Sequence, residues 1–159
     1  MENDAFSDED FFRALARSGA RALLIGRRAL VALGAPVMTA DYDLWVHPDD
    51  IEALNAVFEP LGHHPNHDPA TARARGRYVL ENGERVDVLV ARASSGHTGD
   101  LLRFDDAWAR RRALAVRPGL SVSMPCLEDL ITTKRWAGRA KDLVDLQFLE
   151  ELRAGEGAP

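Results

Sequence analysis

The sequence predicts an α/β fold in one domain, a mixed sheet of about four or five strands with helices packed on one side and two more helices at the C-terminus. Three observations predict it. Short apolar or alternating runs with strand periodicity occur at Ala22–Ile25, at Thr39–Val46 and on both sides of Asn82-Gly83. Segments with apolar residues at helical spacing lie between and after them. The composition, 46% hydrophobic and 28% charged over 159 residues, is that of an ordinary globular domain and excludes a disordered, collagen-like or fibrous chain. The length suits one domain, placed here at 1–153, with a frayed tail over 154–159.

Taken in order, the first element is a helix started by Ser7 as N-cap, with Asp10 three residues on. Phe6 and Phe11 stand at the two positions of a hydrophobic staple. The helix stops near Ser18-Gly19. Ala22–Ile25 is a short buried strand ended by Gly26. Arg28–Leu33 reads as a short helix closed by Gly34. From Thr39 to Val46 the chain alternates, with Tyr42, Leu44 and Val46 on one side and Asp41, Asp43 and Trp45 on the other. Ile51, Leu54, Val57, Phe58 and Leu61 follow helical spacing between Pro48 and Gly62. The polar, proline-containing stretch from His63 to Ala74 reads as a loop.

Asn82-Gly83 predicts a two-residue hairpin turn, because a type I′ turn needs positive φ at both positions. That turn would set Tyr78 opposite Asp87. A short helix is expected around Asp105–Arg112, a turn at Pro118-Gly119 and a last strand over Leu120–Met124. Leu127–Ala137 and Arg139–Leu152 read as two helices split near Gly138.

Charge and cysteine content narrow the function classes. Lys and Arg number 20, Asp and Glu 25, for a net charge of −5. A mildly acidic chain is unsuited to coating DNA non-specifically, although a local basic site is compatible with it. One cysteine, Cys126, excludes an intrachain disulfide and fits a reducing compartment. The first ten residues carry five acidic side chains and no basic one, the wrong charge for a targeting peptide. No apolar run is long enough for a bilayer. A cytoplasmic location without membrane contact is expected.

The candidate chemistry lies in three aspartates. Asp41 and Asp43, at i and i+2 on a strand, point the same way with Cα atoms about 7 Å apart. Carboxylates held that close repel unless a cation lies between them. Paired hard oxygen donors suit Mg²⁺. The alternative is a solvated strand face. Asp87 stands between Val86 and Val88, where aspartate is disfavoured. Its alternative is an exposed hairpin face shared with Arg85. If the two strands are neighbours, the three acids converge and can hold two Mg²⁺ ions, as in-line phosphoryl and nucleotidyl transfer requires. Upstream, Ile25-Gly26-Arg27-Arg28 is a strand running through a tight turn into a helix, where backbone N–H groups can meet phosphate.

The order of these parts resembles the DNA polymerase β-type nucleotidyltransferase superfamily. The parts are strand, Gly26 turn and short helix, then Thr39-Ala40-Asp41-Tyr42-Asp43-Leu44-Trp45-Val46, then Val86-Asp87-Val88. The branch that looks most similar is the small proteins like the AbiEii toxin of type IV toxin–antitoxin systems. Leu127-Glu128-Asp129-Leu130-Ile131 and the stretch Lys134…Gly138-Arg139-Ala140-Lys141-Asp142-Leu143-Val144-Asp145-Leu146 are similar to that branch's final helices. The resemblance covers about residues 20 to 150.

It implies an Mg²⁺-dependent transfer of a nucleoside monophosphate from an NTP to an acceptor, with two Mg²⁺ ions. Asp41, Asp43 and Asp87 would be the catalytic and metal-binding acids. Gly26, Arg27, Arg28, Thr39, Lys134 and Lys141 would lie on the nucleotide side. The acceptor is left open among tRNA, protein and a small molecule, and the partner of a toxin–antitoxin pair is implied. One departure bears on catalysis. The family has a second small residue after the turn glycine, and here Arg27 stands there, either obstructing phosphate or binding it. A non-catalytic binding module of the same fold is the alternative reading. A phosphatase or glycosyltransferase with an Asp-x-Asp motif explains Gly26 and Asp87 less well.

Other signals are weaker. His63, His64 and His67 with Asp68 match no firm ligand spacing and read as a solvated loop. Arg110, Arg111 and Arg112 point in different directions on a helix and read as surface. Lys141 and Asp145 stand at i and i+4, the spacing of a helix ion pair. Trp136 and Phe148 read as core, and Cys126 as a small buried residue rather than a reactive thiol. A bend at Gly138 is expected to swing Lys134 or Lys141 toward the three acids, because an acidic cleft without a base would repel a triphosphate.

Overall fold

The computed structural model describes residues 6–94, 101–136 and 140–156, without the side chains of 140 and 141. The elements run α1 (Asp8–Arg17), β1 (Ala22–Ile25), α2 (Gly26–Ala32), β2 (Tyr42–Val46), α3 (Ile51–Phe58), β3 (His64–Pro65), α4 (Pro69–Arg75), β4 (Arg77–Asn82) and β5 (Glu84–Leu89). They continue with β6 (Ala93–Ser94), β7 (Leu102–Arg103), α5 (Phe104–Ala109), β8 (Arg112–Arg117), β9 (Leu120–Met124), α6 (Leu127–Arg135) and α7 (Ala140–Glu156). Five strands form one mixed sheet in the order β1-β2-β5-β4-β3. Only β2 and β5 are parallel; the other neighbours are antiparallel. Among the described residues no helix is long and apolar enough to cross a membrane.

Local chemistry accounts for the elements. Ser7 accepts a hydrogen bond from the Asp10 amide at 3.2 Å, and the rings of Phe6 and Phe11 meet edge to face at 6.2 Å. Cap and staple therefore both start α1 as expected. The alternation of β2 sends Tyr42, Leu44 and Val46 into the main core with Ala22 and Leu24 of β1, Val86 and Val88 of β5, and Tyr78 and Leu80 of β4. α1, α2, α3, α4, α6, α7 and the β8–β9 hairpin complete that core, through residues such as Phe11, Leu30, Leu54, Ala72, Met124, Leu130 and Leu149. The opposite face is covered only in part. There Leu23 and Trp45 pack under Leu102, Phe104 and Ala107 of the β7–α5 unit.

Several expectations are corrected. The hairpin register is shifted by one residue. Asn82 pairs with Glu84 across Gly83 alone, so Val79, not Tyr78, lies opposite Asp87. A one-residue slip exchanges the faces of a strand. Tyr78 is thereby buried in the core and Val79 faces the open side with Asp87. The segment His63–Ala74 is not a loop. It holds β3 and α4, whose N-terminus is capped by Asp68 accepting from the Thr71 amide at 2.7 Å. Gly76 ends α4 at φ +78°, a conformation glycine adopts without strain. Residues 112–117, the end of an expected helix and the stretch after it, form β8. α7 runs through Ala154 to Glu156, and the rest of the expected tail lies outside the described residues. The Gly138 bend lies outside the described residues.

Candidate active site

The open face of the sheet is ordered in two rows. Ile25, Asp43, Asp87 and Val79 are register partners across β1, β2, β5 and β4. One pleat away, Leu23, Trp45, Leu89 and Arg77 form the parallel row. The second row is mostly apolar and sits under α5; the first carries the acids. Asp41 comes one residue before β2 begins.

A cavity of about 520 Å³ opens over this face. Asp41, Asp43 and Asp87 all line it, beside Gly26. Arg27, Lys134 and Asp142 form another part of its lining, and Arg75, Gly76 and Arg77 another. The three acids expected from the sequence thus share one wall with the glycine turn. Among the described residues no three metal-ligating side chains are drawn into a formed metal cluster.

Gly26 is required on two counts. Its φ is +71°, and a Cβ there would stand 2.5 Å from Asp43 Oδ2. Any side chain at position 26 would displace the Asp43 carboxylate. The backbone of the turn and this carboxylate are in contact because glycine stands between them.

Arg27 neither covers the turn nor points freely into the cavity. Its guanidinium pairs with Asp145 of α7, Nε to Oδ2 at 3.1 Å and Nη2 to Oδ1 at 3.3 Å. Lys134 Nζ of α6 reaches the same carboxylate at 2.9 Å and Asp142 at 3.7 Å. The Asp145 side chain is 0% exposed and that of Lys134 7%. Burial alone would raise the Asp145 carboxyl. The hydrogen bonds and charges of Lys134 and Arg27 outweigh it and hold this group below the ordinary carboxylate range. Asp142 and Asp145 stand three residues apart on α7, hence on one helix face. The cluster ties the glycine turn to both C-terminal helices.

Arg28 is not among the cavity residues. It stacks over the Tyr42 ring at 4.0 Å, pairs with Asp8 at 3.1 Å and donates to the carbonyls of Thr39 and Asp41 at 3.2 Å each. Thr39 is also off the cavity lining; its Oγ1 accepts from the Asp41 amide at 3.0 Å. Both residues brace the loop that presents Asp41. The Lys141 side chain lies outside the described residues, so the expected Lys141–Asp145 pair does too. Lys134 lines the cavity.

Sequence reasoning missed Arg75 and Arg77, because they flank Gly76 beyond a segment read as loop. The punctuation was visible, with Asp68-Pro69 as a helix start and Gly76 as its end. The minor signals resolve as structure. His63 is buried between Phe6 and Phe58, whose rings lie 4.5 and 6.0 Å away, and burial lowers its pKa. Arg110 pairs with Asp129 at 2.9 Å, Arg111 stacks on Trp108 at 4.0 Å, and Arg112 meets Glu156 at 3.1 Å. Burial raises the thiol pKa of Cys126, against a reactive role.

No family model matches the chain, and no curated protein matches it. Solved structures do. A candidate nucleotidyltransferase from Thermotoga maritima matches with TM-score 0.59 and 14% identity, over 90% of each chain. The antibiotic-resistance factor ANT(2'')-Ia matches with TM-score 0.66 and 16% identity, over 93% of this chain and 83% of its own. At such identities the likeness is one of architecture: this chain has the α/β fold of these nucleotidyltransferase structures.

Proposed function

We propose that this chain is an Mg²⁺-dependent nucleotidyltransferase that moves a nucleoside monophosphate from an NTP to an acceptor hydroxyl. The observation that carries the reading is the register pair Asp43–Asp87 on adjacent parallel strands, opening with Asp41 into the cavity beside Gly26. The donor set fits the metal, because three carboxylates on one wall are the hard oxygen ligands Mg²⁺ takes. Asp41, Asp43 and Asp87 would hold it. When bound, Mg²⁺ neutralises charge on the triphosphate and makes the acceptor hydroxyl more acidic.

The chain's own groups do the rest. The backbone at Gly26, bare of a side chain, admits the triphosphate next to Asp43. Asp87 accepts the proton of the acceptor hydroxyl. The hydroxyl oxygen bonds to the α-phosphorus, the bond from that phosphorus to the bridging oxygen of the β-phosphate breaks, and pyrophosphate leaves. Arg27 and Lys134, held by Asp145 and Asp142, fix the helices that wall this end. The bidentate pairing of Arg27 with Asp145 removes the obstruction that a large residue after the glycine would otherwise pose, which favours catalysis over a purely binding role.

An AbiEii-like role, with a cognate toxin or antitoxin partner in the cytoplasm, belongs to the same proposal. Its support is the late-helix sequence from Lys134 to Asp145, in which Lys134 and Asp142 line the cavity and Lys134 pairs with the buried Asp145 behind it. Titration calorimetry with each NTP and Mg²⁺, followed by transfer of labelled nucleotide, tests the reading. Asp43→Asn should abolish transfer and leave the melting midpoint unchanged. Transfer at the wild-type rate in that variant refutes the assignment, and no NTP binding by the wild type leaves a non-catalytic module.

A further inference from the structure

We infer that the acceptor is a phosphate-bearing molecule whose phosphate is held by Arg75 and Arg77. This inference rests on the nucleotidyl-transfer reading and deepens it. Among the described residues four cationic side chains line the cavity: Arg27, Arg75, Arg77 and Lys134. Two of them are already committed, because Arg27 and Lys134 share the buried Asp145 carboxylate. Among the described residues, Arg75 and Arg77 pair with no carboxylate.

The register says which substrate these two would meet. Across the open face the order is Gly26 at the end of β1, Asp43 on β2, Asp87 on β5 and Arg77 on β4. Neighbouring strands lie about 4.8 Å apart, so β4 stands roughly 14 Å from β1 and the glycine turn. A triphosphate against Gly26 leaves the β4 side to the acceptor. Arg77 is the register partner of Leu89, two residues beyond Asp87 on the same face. That diagonal puts their Cβ atoms about 7–8 Å apart. A hydroxyl beside Asp87 and a phosphate at Arg77 are thus at the separation found within one nucleotide-sized acceptor.

The corner that carries the arginines is firmly built. Asp68 caps α4, Gly76 ends it with positive φ, and the Val90 amide donates to the Gly76 carbonyl at 2.8 Å. Arg73 anchors the helix to α3 through Glu52 at 2.7 Å and to the Pro48 carbonyl at 2.9 Å. Two guanidinium groups presented from a fixed corner into a cavity, without carboxylate partners among the described residues, match a multidentate oxyanion such as phosphate. Three acids alone would repel such an acceptor; the two arginines reverse the local field on the acceptor side only.

Equilibrium titrations of the whole protein with Mg²⁺ test this. The probe is a fluorescein-labelled single-stranded RNA oligonucleotide with a free 3′-hydroxyl. Competitors are a nucleoside 5′-monophosphate and the same nucleoside without phosphate. The double variant Arg75→Ser/Arg77→Ser should weaken oligonucleotide or monophosphate binding at least tenfold. Arg17→Ser/Arg153→Ser, which removes the same charge elsewhere, should change it less than twofold. NTP affinity should stay within twofold in both variants. Binding of the oligonucleotide but not the monophosphate assigns a polynucleotide end; equal competition by the monophosphate assigns a phosphorylated small molecule. Equal affinity in the cavity variant and wild type, no binding of either phosphate probe, or competition by the bare nucleoside as strong as by its phosphate overturns the inference. Loss of the transfer reading is seen separately, as absence of NTP binding by the wild type.

Discussion

The two ends of the cavity use the same residue types for opposite purposes. At the inner end Arg27 and Lys134 meet Asp145 and Asp142, three of the four nearly closed off from water. At the outer end Arg75 and Arg77 stand exposed on the α4–β4 corner. A charge withdrawn from water must be paired, so the inner cations hold helices together. A charge left in water costs nothing to leave unpaired, so the outer cations remain available to a ligand. Burial, more than residue identity, separates architecture from recognition in this site.

The largest effect should come from breaking the inner end. Asp145→Ala takes from Arg27 the carboxylate it pairs with and leaves Lys134 only the longer contact to Asp142 at 3.7 Å, and should cost about 3–5 kcal/mol in urea unfolding. A wild-type unfolding curve for this variant would erase the distinction between the ends. The same carboxylate sets an acid limb. Its folded-state pKa is depressed, so its contribution is fully present above the unfolded value of about 3.9 and is lost as pH falls through the lower folded value. Asp145→Asn should flatten the fall in stability below about pH 4, read by thermal melts across pH.

Gly26→Ala comes next. A Cβ at φ +71° costs about 1–2 kcal/mol, and it would also meet Asp43 Oδ2 at 2.5 Å. Nucleotide affinity should therefore fall further than stability does, and an affinity equal to wild type would show that Asp43 does not act at the turn. The smallest effect on stability belongs to the outer end. Arg75→Ser/Arg77→Ser should stay within about 0.5 kcal/mol of wild type, as exposed substitutions do. A larger loss would make these arginines structural and merge the two ends.

The sequence was legible where the physics is local. Ser7, Phe6 and Phe11 announced α1, the alternation of Tyr42–Val46 announced which side carries Asp43, and Asn82-Gly83 announced the hairpin. The hairpin's register was not legible, because Gly83 alone spans the turn, which no dipeptide rule distinguishes from the two-residue form. β8 was missed because its arginine, alanine, leucine and valine also suit a helix, and only pairing with β9 decides the matter. The three acids that line the cavity were picked out from residue type and spacing. The partner of Arg27 was not, since Asp145 lies 118 positions away and nothing near either residue signals the other. Thr39 and Arg28 were placed on the nucleotide side by the family resemblance, whereas the fold turns Arg28 back onto Tyr42 and Asp8.

The apolar shelf beside the acids has an optical consequence. Trp45 is fully enclosed, its indole N–H donating to the Ala91 carbonyl at 2.7 Å, and its ring meets that of Trp136 edge to face at 5.7 Å. Ala91 and Trp136 both line the cavity. An intrinsic fluorophore pair is therefore wired to the cavity lining, one ring sealed and the other at its border. The third tryptophan, Trp108, lies under Arg111. The molecule carries its own emission signal for whatever enters beside Asp43, and reading it needs no label attached near the acids.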